Sequence, residues 1–183
     1  MSDWRLTTQN AALVVIDLQE KLMAAMPRRA EVVTAADRLI RAARILEVPT
    51  LVTVQYVKGL GPVCAELAEA TAGLTPVEKM AFSCCGAAAF VRALKTSGRK
   101  RIILCGVEAH VCVQQTALDL LAGDHTVYIV ADAVCSRRAT DCAVASERLR
   151  DCGAVLTTAE AAVYELLREA GTPAFKQVLP LFK

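Results

Sequence analysis

Arg101-Ile102-Ile103-Leu104-Cys105-Gly106-Val107-Glu108-Ala109-His110-Val111-Cys112-Val113 decides how this 183-residue chain is read. A basic residue opens the stretch. Ile102 to Cys105 is an apolar run of strand length, and Gly106 ends it. Cys112, Val113, Thr116, Ala117, Leu120 and Leu121 follow, small or apolar, at helical spacing. The pattern predicts strand, sharp turn, helix. Ligands of an open α/β sheet sit at the carboxyl ends of its strands, and the spacing puts Cys112 in or near the first turn of the helix. The helix dipole and its free N–H groups favour a thiolate there. A cysteine is ordinarily a small buried hydrophobe, and the chain has eight. Cys112 stands apart by its position.

The same alternation extends in both directions. Ala11 to Ile16 is an all-apolar run, read as a parallel strand buried on both faces, and it ends at Asp17. Glu20 to Met26 reads as a short helix stopped by Pro27. Glu31 to Leu46 is amphipathic, with Val32, Ala35, Ala36, Leu39, Ile40 and Ala43 on one face. Thr50 to Gln55 is a β-branched strand. Tyr56 to Pro62 holds two glycines and reads as a loop. Ala65 to Ala70 is a brief helix, Thr75 to Phe82 a weak strand carrying Lys79, and Ala87 to Lys95 a helix closed by Ser97-Gly98. Beyond the central unit come a strand from Thr126 to Val130 ended by Asp132, a helix from Thr140 to Arg150 and a strand from Ala154 to Thr157. A helix capped by Thr158 and a short helical tail from Ala174 to Lys183 complete the chain. Strands alternating with helices predict one α/β domain over 1–183, a three-layer αβα arrangement around a parallel sheet.

Composition removes several function classes. The hydrophobic fraction is 55% and the net charge +2. The densest basic cluster, Arg99-Lys100-Arg101, is too short for a nucleic-acid stripe and reads as a solvated strand entrance. No apolar run reaches membrane-spanning length. Met1 to Arg5 shows no signal-peptide core, which points to a cytoplasmic, reducing setting with free thiols. Cys84 and Cys85 are adjacent, no C-x-x-C occurs, and His110 and His125 are the only histidines. A structural zinc site is not expected, and no cofactor is implied.

Three strand ends carry chemistry. Asp17 follows the first strand, Lys79 lies in or after the third, and Cys112 starts the helix after the fourth. A thiol needs a base or a cation to become a nucleophile. Asp17 could take the proton, Lys79 could hold the carboxylate and stabilise a thiolate, and N–H groups of the Gly106-to-Cys112 turn could form an oxyanion hole. Taken singly, an aspartate after a strand is ordinarily a turn former or helix cap, and a lysine in a strand is edge relief. Only their coincidence makes a Cys-Asp-Lys acyl-transfer site.

Val15-Ile16-Asp17-Leu18-Gln19, then Glu78-Lys79, then Gly106-Val107-Glu108-Ala109-His110-Val111-Cys112-Val113 resembles the isochorismatase-like cysteine hydrolase superfamily. Gln55 to Pro62, Phe82-Ser83 and Asp132 to Arg137 look closest to its isochorismatase domain-containing subgroup. The resemblance spans roughly Asn10 to Glu160. It implies a six-stranded parallel, Rossmann-like sheet with helices on both faces and a homo-oligomer, dimer or tetramer. It also implies a triad of Asp17, Lys79 and Cys112, a cis peptide at Val107–Glu108, and oxyanion donors at the backbone N–H of Glu108 and Cys112. Two departures narrow it. Thr53 to Lys58 lacks the histidines of the nicotinamidase metal site, so metal-dependent nicotinamide hydrolysis is disfavoured and no metal is expected. True isochorismatases lack the nucleophilic cysteine, so Cys112 argues for carbon–nitrogen or ester hydrolysis of a small molecule. Tyr56, Leu60, Phe82, His110 and Val111 are the candidate substrate liners. A catalytically quiet scaffold or small-molecule-binding protein on the same fold is the competing reading, and redox sensing through Cys84-Cys85 or Cys112 a third.

Overall fold

A computed structural model of the chain describes residues 4–183. Met1 to Asp3, part of the segment read for an export signal, lie outside the described residues. Six strands form one all-parallel sheet: β1 (Ala11–Ile16), β2 (Thr50–Gln55), β3 (Val77–Lys79), β4 (Arg101–Val107), β5 (Thr126–Cys135) and β6 (Val155–Thr157). Their order is β3-β2-β1-β4-β5-β6. The helices are α1 (Glu20–Met23), α2 (Arg29–Ile45), α3 (Val57–Leu60), α4 (Ala88–Ser97), α5 (Gln114–Ala122), α6 (Ala139–Asp151), α7 (Ala159–Leu167) and α8 (Pro173–Val178). Among the described residues, no helix is long and apolar enough to cross a membrane.

Strand side chains alternate between two cores because a strand's period is two. Leu13, Val15, Ile103 and Val130 face a cluster with Leu39 and Ile40 of α2 and Val163 of α7. Val14, Ile16, Ile102 and Leu104 face the other, with Phe90 of α4, Ala117 and Leu120 of α5 and Leu149 of α6. All six residues of β1 are buried, which is why that strand is apolar throughout. Each such aliphatic side chain contributes about 1.5–3 kcal/mol by leaving water. Thr158 caps α7 as its sequence suggests, its hydroxyl accepting from the Ala161 N–H at 3.3 Å.

Several boundaries differ from the sequence expectation. The third strand is three residues long, not eight, and after Lys79 the chain leaves the sheet for a 3₁₀ turn at Cys84–Gly86. The glycine-bearing stretch after β2 contains the one-turn helix α3 rather than only loop. The expected helix at 65–70 is a 3₁₀ turn at Ala65–Leu67. The first helix stops at Met23 instead of reaching Met26. The fifth strand runs past Asp132 to Cys135 because its register with β4 shifts between Leu104 and Gly106. Asp132 is therefore no terminator, and its carboxylate accepts from the Ala159 N–H that opens α7, at 2.9 Å.

Candidate active site

The strand order reverses between β1 and β4, the place where a doubly wound sheet opens a crevice at its carboxyl edge. Register brings the reactive positions there. Ile16 pairs with Thr53 of β2 and with Gly106 of β4, and Gln55 of β2 pairs with Lys79 of β3. Asp17 is one residue past Ile16 and turns the chain with φ 53°, a left-handed conformation that Asp tolerates better than most residues. Gly106 lies so close to β1 that a Cβ on it would fall 2.0 Å from the Ile16 carbonyl oxygen. No other residue type fits there.

Lys79 crosses the end of β2 to reach Asp17. Its Nζ donates to Asp17 Oδ2 at 2.6 Å and to Gln55 Oε1 at 2.7 Å, with both charged side chains wholly buried. The carbonyls of Ala81 and Phe82 accept from the same ammonium at 3.3 and 3.0 Å. The early end of β3 now has a reason, since a straight strand could not turn these carbonyls toward Lys79. The second carboxylate oxygen of Asp17 accepts from Thr53 Oγ1 at 2.8 Å. Gln55 is fixed in turn: its backbone N–H donates to Gln19 Oε1 at 2.7 Å and its side-chain amide to the Met80 carbonyl at 2.8 Å.

Cys112 completes the group, its thiol acted on by both Asp17 and Lys79. It sits not in the α5 helix but in a π-helical turn, Ala109–Val113, that precedes it. Such single wide turns recur at functional sites. The Val107–Glu108 peptide before it is cis. Glu108 is buried, its carbonyl accepting from the Val111 and Val113 N–H groups at 3.0 and 3.2 Å. Its carboxylate takes both the backbone N–H and the Nε–H of Arg137 at 3.0 Å. His110 Nδ1 lies 2.9 Å from the hydroxyl of buried Ser136. The turn is thus clamped from the end of β5.

The expectation of a preformed thiolate is overturned. Burial, and after it the negative charge of Asp17, push the Cys112 thiol up to about 12, with Lys79 opposing them. At neutral pH the sulfur rests protonated beside a carboxylate. The helix-dipole argument failed because it ignored the desolvation that burial brings.

The candidate liners are spread along the same edge. Tyr56 directly follows β2, its N–H donating to the Lys79 carbonyl at 3.1 Å, and its ring stands over Gly59. Tyr56, Met80 and Phe82 are exposed apolar side chains, and Leu60, His110 and Val111 are half-buried. The sequence reading passed over Thr53, Gln55 and Gln19, the polar partners that hold the ion pair. A signal existed, because Thr53 and Gln55 interrupt and end a strand whose last four residues are buried. Among the described residues, no group of three His, Cys, Asp or Glu side chains could hold a metal.

Residues 11–161 match the model of the isochorismatase domain. Isochorismatase domain-containing protein 2 of Danio rerio is 42% identical over 97% of this chain and 89% of its own. A structure titled MAR1 ribonuclease from Caenorhabditis elegans is 44% identical, with TM-score 0.91 over 97% of this chain and 92% of that one. The ycaC gene product of Escherichia coli, titled an octameric hydrolase of unknown specificity, is 25% identical with TM-score 0.91, covering this whole chain and 91% of its own. A match of the domain model along most of the sequence, together with relatives near 40% identity over nearly its full length, shows that the chain belongs to the isochorismatase-domain family.

Proposed function

We propose that the protein is a metal-independent cysteine hydrolase of small amides, ureido compounds or esters, with Cys112 as nucleophile, Asp17 as general base and acid, and Lys79 as the cation that fixes Asp17. One observation carries this reading: a wholly buried Asp17–Lys79 pair, 2.6 Å apart, stands beside a protonated thiol at the carboxyl edge of the sheet. Keeping two charges away from water costs stability and adds nothing to a core. It makes sense where a base must be held against one particular proton.

In this mechanism Cys112 Sγ attacks the substrate carbonyl carbon as Asp17 takes the thiol proton. The carbonyl oxygen becomes an oxyanion, which the backbone N–H groups of Glu108 and Cys112 receive. Collapse of the tetrahedral intermediate breaks the bond to nitrogen or oxygen, and Asp17 returns the proton to that leaving group. Water then attacks the thioester, giving a proton to Asp17, and the Cys112 thiol is restored as the acid leaves. Lys79 passes no proton in these steps and serves only to hold Asp17. Tyr56, Leu60, Phe82, His110 and Val111 contribute to the substrate pocket in this reading. Exposed Tyr56, Met80 and Phe82 beside the site, and an octameric relative, favour assembly into a homo-oligomer. Eight free cysteines suit a reducing, cytoplasmic compartment.

The test is turnover of a panel of small amides, N-carbamoyl compounds and esters by wild type and Cys112→Ala. Wild type forms an acyl adduct on Cys112 detectable by mass, and the variant loses turnover by about 10³-fold or more. Unchanged turnover in Cys112→Ala ends the reading. The likeness to a structure titled ribonuclease favours a second reading, cleavage of RNA phosphodiesters. RNA cut equally by wild type and by Cys112→Ala, with no member of the panel turned over, would establish that reading instead.

A further inference from the structure

The chain leaves β2 for α3 through two residues that each cost stability. Tyr56 is left-handed, with φ 38° and ψ 68°, a conformation that costs a bulky residue about 1–2 kcal/mol. Gly59 sits inside α3, where alanine is better by about 1 kcal/mol. Its φ is not in the left-handed region, so the backbone does not call for glycine. The reason is the Tyr56 ring: a Cβ on residue 59 would fall 2.2 and 2.4 Å from Tyr56 Cε1 and Cδ1. Gly59 is the seat of that ring.

Burial does not offset these costs, because Tyr56 stays 44% exposed. Strain of this kind gathers at functional sites. The segment beneath the ring is pinned. The Tyr56 N–H donates to the Lys79 carbonyl at 3.1 Å, and the Val57 N–H to Glu78 Oε1 at 2.8 Å. The Gly59 carbonyl accepts from Lys21 Nζ at 2.8 Å, and the Gly61 carbonyl from Gln19 Nε2 at 2.5 Å. Lys21 belongs to α1, which packs its Leu22 into the core on the α2 side of the sheet, while Cys112 lies in the core on the other side. The seated ring is therefore held on the α1 side. Gln55, the residue before it, accepts from Lys79 and so stands in the crevice.

We propose that Tyr56 and Gly59 set the size of the group that can approach Cys112. Seated on Gly59, the ring leaves the crevice open to a bulky apolar body, flanked by the exposed side chains of Met80 and Phe82. A Cβ at 59 removes the seat, and the pinned backbone cannot follow. The ring then swings across the carboxyl edge over Gln55 and Lys79 and closes the approach. The proposal rests on the hydrolase reading for the nature of the substrate, not for access to the sulfur. Joined to it, the favoured acyl group is apolar and ring-sized.

Alkylation of Cys112 tests access without any hydrolysis. Iodoacetamide and N-phenyliodoacetamide react alike: the Cys112 thiolate displaces iodide and forms a carbon–sulfur bond, and the thiol proton goes to solvent. They differ in the bulk of the amide. Rates are read at Cys112 by peptide mass in wild type, Gly59→Ala, Tyr56→Ala and the double variant, and the ratio for the two reagents cancels any change in thiol ionisation. Gly59→Ala should lower the ratio of phenyl reagent to iodoacetamide by about tenfold. Tyr56→Ala should not lower it, and the double variant should restore the wild-type ratio. No reaction of wild type with the phenyl reagent, a wild-type ratio in Gly59→Ala, a lowered ratio in Tyr56→Ala, or one that persists in the double variant would each overturn the proposal. If Gly59→Ala does not fold, Tyr56→Trp, whose indole is too large for the seat, takes its place, and an unchanged ratio there overturns it. Turnover in Cys112→Ala tests the hydrolase reading separately, so either can fail alone.

Discussion

The ammonium of Lys79 has three protons and four acceptors within 3.3 Å: Asp17, Gln55, and the carbonyls of Ala81 and Phe82. That arrangement makes the Asp17–Lys79 pair costly to break and cheaper to replace. Lys79→Met leaves a buried carboxylate without its cation and should destabilise the fold by about 3–5 kcal/mol. The double variant Asp17→Asn with Lys79→Met should recover about 1 kcal/mol or more of that loss. Urea unfolding of wild type and the two variants measures both, and a double variant no more stable than Lys79→Met would show that the charges are not coupled. Cys112 supplies a prediction of its own. With its thiol pushed up to about 12, alkylation by iodoacetamide should keep accelerating from pH 7 to pH 10 with no plateau near pH 7. A plateau there would mean that the thiolate forms in the resting protein. Asp17 and Cys112 were legible in the sequence as reactive groups following apolar strands, whereas Lys79, inside the weak segment from Thr75 to Phe82, stood out only by its coincidence with them. The protonated state of Cys112 was not, since it depends on how much water three separate strand ends leave around the sulfur.

At the scale of elements, the approach of β4 to β1 sets how tightly the crevice is built. Gly106 has φ 122°, and an added Cβ would sit 2.0 Å from the Ile16 carbonyl oxygen, a backbone atom that cannot yield alone. Gly98 is also left-handed, φ 65°, but a Cβ there meets nothing within 4 Å. Gly98→Ala should therefore cost about 1 kcal/mol, the conformational penalty by itself. Gly106→Ala should cost about 3 kcal/mol or more and shift the turn that carries Cys112. Denaturant midpoints for the two alanine variants check the contrast, and equal losses would refute the close-approach argument. Element existence was largely visible in the sequence, because β1 and β4 are apolar runs and α2 is strongly amphipathic. The ends of β3 and β5 were not. Lys79 stops β3 by drawing the Ala81 and Phe82 carbonyls toward itself, and the shift between Leu104 and Gly106 carries β5 past Asp132. Both boundaries are set by tertiary contacts that no local pattern encodes.

For the molecule as a whole, alternating strands and helices announced a helix-covered parallel sheet, while the strand order and the placement of the cysteines required the coordinates. That placement has a collective consequence. Cys64, Cys84, Cys105 and Cys112 are all buried, and burial raises the first two thiols to about 11 and the last two to about 12, from an ordinary 9.0. In the unfolded chain each would ionise near its ordinary value. Between pH 9 and pH 11 the unfolded chain has therefore released protons that the folded chain still holds, and rising pH favours unfolding. Stability from this source is intact below about pH 8 and fades as pH climbs through the folded values, each thiol contributing a slope of up to about 1.4 kcal/mol per pH unit. Urea midpoints at pH 8, 9.5 and 10.5 should fall progressively. Cys105→Val keeps the site near β1 filled with a side chain of similar size and removes one of the most strongly raised thiols, so its slope should be measurably shallower. A slope identical to wild type in Cys105→Val would show that the alkaline loss comes from other titrating groups and not from the buried sulfurs.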